Sequence, residues 1–208
     1  QFEQHQLMVH LGMSGSLRIV KSDVAAGKHD HVDIILDNGK IIRYNDPRRF
    51  GCILYNQQGL QHSLLAKLGV EPLGEDFNEA YLIKLASGRK VAIKSFIMNS
   101  HIVVGVGNIY AQEALYRARI HPNRAANNIS LKRMAFLVAT IRQVLEEAII
   151  AGGSSLKDFT STEGKPGYFQ HRFQVYGRGG EPCLNCSKPL KLAQIGQRTT
   201  AYCGSCQR

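Results

Sequence analysis

The sequence has no tryptophan and only six prolines in 208 residues, and no apolar run in it approaches the roughly 20 residues that cross a bilayer as a helix. Collagen-like and proline-rich extended chains are excluded by composition, since twenty glycines without a repeat are ordinary usage. The opening residues 1–6 are polar and carry no signal-peptide pattern. Acidic residues are the other scarcity: 16 Asp+Glu face 26 Lys+Arg, for a net charge of +10 and a pI near 9.5. A basic surface kept for solubility, or a ribosome-like protein, accounts for such a balance. So does a polyanion partner, because clustered cations gain by releasing counterions from phosphates. The distribution favours the partner: residues 152–208 hold eight Lys/Arg against three Asp/Glu, half of the net charge. With 44% hydrophobic residues, the chain can build one large core or two small ones. A soluble intracellular protein is expected.

Cysteine is also sparse, and its spacing argues against a disulfide framework. Cys183, Cys186, Cys203 and Cys206 form two Cys-x-x-Cys pairs sixteen residues apart, while Cys52 stands alone far upstream. That is the spacing of a zinc ribbon, and clustered thiolates imply a reducing compartment. Four thiolates leave no open coordination position, so a structural zinc is expected rather than a catalytic one.

Alternating apolar positions predict strands at Gln6–Leu11, Ser16–Val20, His31–Leu36, Lys40–Tyr44 and Cys52–Tyr55. Asp37-Asn38-Gly39 supplies a hairpin turn, and the short connections imply antiparallel pairing within part of a sandwich. From His62 the period becomes helical, with helices expected over His62–Leu68, Asn78–Leu85, Ile109–Arg117 and Leu131–Ala151. Ser130 is the candidate N-cap of the last helix and Gly152-Gly153 its stop. Residues 160–170, with Gly164, Pro166 and Gly167, read as a surface loop. The fold class is therefore α+β. An antiparallel β-sandwich portion covers 1–60, a helical domain 61–170 and a zinc-ribbon hairpin 171–208.

Three motifs carry chemistry. Val104-Gly105-Val106-Gly107-Asn108 precedes a helix and offers amides and a positive helix end to an anion. A dinucleotide fingerprint is a poor match, since the third glycine and the preceding parallel strand are absent. A phosphate clamp and a tight turn needed for packing both remain open. Asn45-Asp46-Pro47-Arg48-Arg49-Phe50-Gly51 places two arginines and an aromatic on one turn, either as a wedge into a base step or as a surface turn with Phe50 tucked inward. His29 and His31 form a weak metal pair or ordinary hydrogen-bonding residues. In the ribbon, Arg198 lies near the hairpin end and is placed to meet a phosphate or a groove.

His10–Leu17, Lys28–Asp33, Asp46–Gly51, Val103–Tyr110, Gly164–Phe169 and the ribbon ending Arg198–Gln207 occur in one order, and the chain as a whole closely resembles bacterial formamidopyrimidine-DNA glycosylase. The resemblance implies a helix–two-turn–helix motif containing the Gly-x-Gly turn, followed by the zinc finger. Lys188 and Leu190 depart from the ribbon pattern, but neither is a ligand. The family begins with Pro-Glu-Leu-Pro-Glu, whose N-terminal proline is the nucleophile. No such motif occurs here, and Gln1 falls roughly sixty residues into the pattern, so a leading segment is expected to be missing.

The function implied is base-excision repair of oxidised purines (8-oxoguanine, formamidopyrimidines) by a DNA glycosylase and abasic-site lyase, acting as a monomer in the bacterial cytoplasm. A secondary amine attacks the sugar anomeric carbon, the base leaves, and eliminations cut both sides of the abasic site. The resemblance places Met13, Arg48 and Phe50 in the gap left by the flipped nucleotide. It places His29, Arg89, Lys94 and Asn108 on phosphates, and Lys165, Gly167 and Tyr168 in the loop over the lesion. Arg198 takes part in the later elimination step, and one structural zinc is the only cofactor. Two rivals stand beside this reading: the related oxidised-pyrimidine glycosylases of the endonuclease VIII branch, and a non-catalytic DNA-binding zinc-ribbon module.

Overall fold

The alternating segments form two antiparallel sheets in the computed structural model, which describes residues 5–57, 62–153 and 172–208. Strand β1 (His5–His10) pairs with β5 (Cys52–Gln57), His10 opposite Cys52. Strands β2 (Ser16–Lys21), β4 (Lys40–Asn45) and β3 (Asp30–Ile35) make the second sheet with β4 central. The β3–β4 turn closes as its composition requires. Gly39 takes φ +75°, the Leu36 amide donates to the Lys40 carbonyl, and the Asn38 side chain accepts from the Lys40 amide.

Central β4 is buried at Ile41 and Tyr44 and also at Arg43, which needs a partner to be tolerated there. Asp33 supplies it with two 2.8 Å bonds to the guanidinium, and the Ala25 carbonyl takes a third at 2.9 Å. Asp30 gathers Arg18, the Asn45 amide and the Gly27 backbone N–H within 2.8 Å. A β-bulge between Asp30 and Val32 turns His31 out of register, and its Nε2 donates to the Asp46 carbonyl.

Five α-helices follow among the described residues: α1 (Ser63–Ala66), α2 (Glu79–Ala86), α3 (Ile93–Ile97), α4 (Asn108–Arg117) and α5 (Leu131–Ile150). Asn78 caps α2 by accepting from the Tyr81 amide at 2.9 Å. Beyond α5, Gly152 and Gly153 take φ of +74° and +90° and return amides to Ile149 and Ala148. Helix α3 was not anticipated. It is short and has no side-chain cap; instead the amides of Ile93 and Lys94 donate to carbonyls of Arg124 and Pro122. Phe77, Leu82, Ile93, Phe96, Leu115 and Met134 of the helical unit are all essentially without solvent contact.

The ribbon is β6 (Lys191–Ile195) against β7 (Arg198–Tyr202), joined by Gly196-Gln197 with φ of +59° and +58°, the geometry that two-residue hairpins favour. Its small core is not its own: Tyr116 of α4 joins Val175, Cys183, Leu190, Ala201 and Cys203. Two compact units result, residues 1–62 with 148–171, and residues 63–147 with 172–208. Among the described residues no helix is long and apolar enough to cross a membrane.

Candidate nucleic-acid interface and metal centre

In the β unit, the turn after β4 is built around a buried carboxylate. Asp46 Oδ2 accepts from the Gly51 amide at 2.8 Å and from the Tyr44 hydroxyl at 3.0 Å. The Gly51 amide is the chief cause that holds this carboxyl below its usual range, against the opposing effect of burial. Burial and the Asp46 charge together push the Tyr44 phenol up to about 12. Arg49 is forced to φ +55°, a conformation that costs a residue with a Cβ.

A second turn closes against this one. A Cβ on Gly12 (φ +62°) would lie 2.7 Å from the Phe50 carbonyl carbon, and one on Gly51 would meet the Tyr44 hydroxyl and His10 carbonyl. These two glycines are required by close approach. The consequence is outward projection of two apolar side chains, Met13 at 53% and Phe50 at 59% exposure. The Arg48 guanidinium lies 4.8 Å from the Phe50 ring centroid. Phe50 is thus not tucked inward. His29 is half-buried nearby, and its carbonyl accepts the Asp46 amide. His29 and His31 belong to no cluster of metal-binding groups among the described residues.

In the helical unit, Gly107 is the N-cap of α4 and Gly105 takes φ +75°. A Cβ on Gly107 would meet nothing within 4 Å. Packing therefore does not demand that glycine, and its bareness leaves the helix start open to close approach. Asn108, Gln197, Arg198 and Thr199 line a cleft of about 510 Å³, with no acidic residue among its lining.

Lys94 of α3 is fully buried, and its Nζ has no hydrogen-bond partner. Burial lowers its pKa to about 8, and the Arg198 charge adds to the effect. The Oδ1 of Asn108 is likewise buried and unpartnered. An anion brought between Lys94 and Arg198 relieves both desolvation and mutual repulsion. Arg89 is exposed, with its guanidinium 5.8 Å from the Phe96 ring centroid on α3. Lys165, Gly167 and Tyr168 lie outside the described residues.

Two neighbours on α4 escape a reading of the sequence. Glu113, fully buried, accepts the amides of Gln174, Val175 and Tyr176 at 2.9–3.0 Å. Gln112 binds the backbone of β7. The one available signal was spacing, since Asn108, Gln112 and Tyr116 recur every four residues and share a helix face.

The metal centre consists of Cys183, Cys186, Cys203 and Cys206, whose sulfurs all lie within 4.8 Å of one another. The pairs Cys183–Cys206 and Cys186–Cys203 are 3.9 and 3.5 Å apart. A tetrahedral zinc with bonds of about 2.3 Å requires sulfur separations of about 3.8 Å, so the donor set fits. Burial raises the Cys183 thiol, but the Tyr116 hydroxyl and the amides of Asn185 and Cys186 outweigh it and bring the pKa down to about 6. Cys52 does not belong to this set.

The Formamidopyrimidine-DNA glycosylase N-terminal domain family matches residues 1–53, and the H2TH domain family of the same enzyme matches residues 68–160. The formamidopyrimidine-DNA glycosylase of Alcanivorax borkumensis is 56% identical over 208 residues, spanning all of this chain and 77% of that protein. The chain belongs to the formamidopyrimidine-DNA glycosylase family. The Marinobacter nauticus glycosylase is 51% identical over 99% of the chain and 76% of its own length. A zinc finger family found in FPG and IleRS matches residues 180–208.

Solved members of the glycosylase family share the fold. The MutM (FPG) protein of Thermus thermophilus superposes with a TM-score of 0.87 at 35% identity, covering 99% of this chain and 77% of that one. The Lactococcus lactis enzyme in complex with DNA containing an abasic site gives 0.89 at 32% identity, covering 99% and 76%.

Proposed function

We propose that the chain works in base-excision repair, gripping duplex DNA at an oxidised purine or an abasic site, as a monomer in the bacterial cytoplasm. The observation that carries this reading is a buried, unpartnered Lys94 that feels the charge of Arg198, together with a cleft that Arg198 and Asn108 line and no acidic side chain does. A buried ammonium without a partner is costly in the free protein and calls for an anion. A backbone phosphate meets that need, and the Lactococcus lactis relative binds DNA containing an abasic site.

The residues divide the work. Lys94, Asn108, Arg89 and His29 hold phosphates, which fixes the register of the strand but reads no base. Phe50 enters the step vacated by the extruded nucleotide, with Met13 beside it and Arg48 turned to the orphaned base. Lys165, Gly167 and Tyr168 are assigned to recognition of the extruded base. Zinc, held by the four cysteines, supplies folding energy to the ribbon and presents Arg198 for the later elimination.

Titrating the protein against undamaged and abasic duplex tests the reading. Tighter binding to the abasic duplex is expected. Equal affinity for the two duplexes refutes lesion recognition.

A further inference from the structure

We infer that Gln112 is a positioning residue that sets Arg198 by pairing with strand β7 as a neighbouring strand would. The inference rests on the DNA-binding reading above. The Gln112 side chain is almost wholly buried. Its Nε2 donates to the Thr199 carbonyl at 3.2 Å, and its Oε1 accepts the Ala201 amide at 2.7 Å. One carboxamide therefore bridges the carbonyl of one residue and the amide of the residue two further on. The N–H and C=O of one residue in a parallel strand make the same pair of bonds to the residues flanking its opposite number, here Thr200.

The physical need for this bond is plain. The β6–β7 ribbon has only two strands, and an isolated two-stranded hairpin is marginal in water. In an antiparallel ladder alternate residues turn their peptide groups outward. Gln112 satisfies two of those outward groups on β7, at Thr199 and Ala201.

Arg198 opens β7, immediately before Thr199. Rotation or slippage of the strand swings that guanidinium away from Lys94, whose pKa registers its nearness. The same carboxamide also donates to the Asn108 carbonyl at 3.1 Å, one turn back on α4. An uncharged side chain thereby fixes the spacing between two members of the phosphate cleft. Zinc anchors the opposite end of β7, where Cys203 and Cys206 follow Tyr202. Loss of Gln112 should accordingly free the turn end of the ribbon while the metal end stays closed.

The test is Gln112→Met, which keeps length and volume and removes both bonds, combined with Arg198→Ala in a double-mutant cycle. Binding to abasic duplex is measured across a salt series, with zinc content determined for every variant. Gln112→Met is expected to keep one zinc, to bind about tenfold more weakly at about 0.1 M salt, and to shallow the salt slope by about one unit. Mere loss of folded protein lowers the active fraction without changing that slope. In the Arg198→Ala background the same substitution should cost less than about twofold, because the residue through which it acts is gone. An unchanged slope, a tenfold loss that persists without Arg198, or loss of zinc each overturns the positioning role. Rapid exchange of the Ala201 amide in the wild-type protein also overturns it. A wild-type protein that binds neither duplex overturns the DNA-binding reading itself, an outcome distinct from all of these.

Discussion

The hydroxyl of Tyr116 lies 3.1 Å from Sγ of Cys183, although 67 residues separate them in the chain. Burial and the neighbouring thiol raise the phenol far above its ordinary range, so it stays protonated and donates to the sulfur. A hydrogen bond to a metal-ligating atom tunes affinity from outside the ligand set. Tyr116→Phe preserves the ring in the ribbon core and deletes only that donor. Zinc should then be lost to a chelator at about ten- to hundredfold lower concentration. Metal analysis should show one equivalent in Cys52→Ala and none in Cys203→Ala. Full zinc retention by Cys203→Ala would refute the four-cysteine site.

Acid should destabilise the β unit. Asp33 is held below the usual carboxylate range first by its bond from Arg43, and Asp46 first by the Gly51 amide. In Asp30, burial acts upward but is outweighed by the Gly27 amide and Asn45. Carboxylates depressed in the folded state contribute stability that is present above about pH 4 and is lost as pH falls through their folded values. Thermal melts followed by circular dichroism from pH 6 to pH 3 should therefore move to lower temperature. A flat profile would contradict the paired-carboxylate description.

DNA affinity should also depend on alkaline pH, through Lys94. Burial, with Arg198 second, holds this lysine near 8 in the free protein, and a bound phosphate restores its charge preference. The sign follows: affinity is level below about pH 7 and falls as the free amine deprotonates. Between pH 7 and 9 the loss should be about tenfold for a pKa of about 8. Lys94→Met should bind more weakly and show no such slope. The same pH dependence in Lys94→Met would assign the titration to another group.

Much of this was legible because the determinants are local. The β3–β4 hairpin follows from Asp37-Asn38-Gly39, where Gly39 takes the positive φ and Asn38 bonds the next strand. Helix α5 follows from its period, and Gly152-Gly153 ends it. The ribbon follows from two cysteine pairs. What escaped depends on distant partners. Helix α3 is started by the carbonyls of Pro122 and Arg124, which no local pattern announces. Gln112 and Glu113 look like ordinary helix residues until β7 and residues 174–176 return to them from 61–89 positions away. The Asn45–Gly51 turn was half legible. Its arginines and phenylalanine were visible, whereas the Asp46 carboxylate that braces it became evident only from the bonds of Tyr44 and Gly51.

The wedge and the phosphate clamp can be separated by what each contact senses. Phe50 projects at 59% exposure beneath the Arg48 guanidinium, so a base step is its natural partner. Unstacking a step costs a few kcal/mol, and an aromatic that fills the gap returns part of it only where the helix is already weakened. Lys94 carries charge and no base-reading geometry, so it should act alike on every duplex, with each lost phosphate contact shallowing the salt slope by about one unit. Binding of Phe50→Ala and Lys94→Ala to undamaged and abasic duplex across a salt series distinguishes them. Phe50→Ala should keep the slope and lose the preference for abasic DNA. Lys94→Ala should keep the preference and lose slope. Removal of an exposed ring should leave the melting temperature within a degree or two, since surface substitutions rarely exceed about 0.5 kcal/mol. If Phe50→Ala weakens both duplexes equally at unchanged stability, Phe50 contacts the backbone or packs the turn, and the wedge must be sought at Met13.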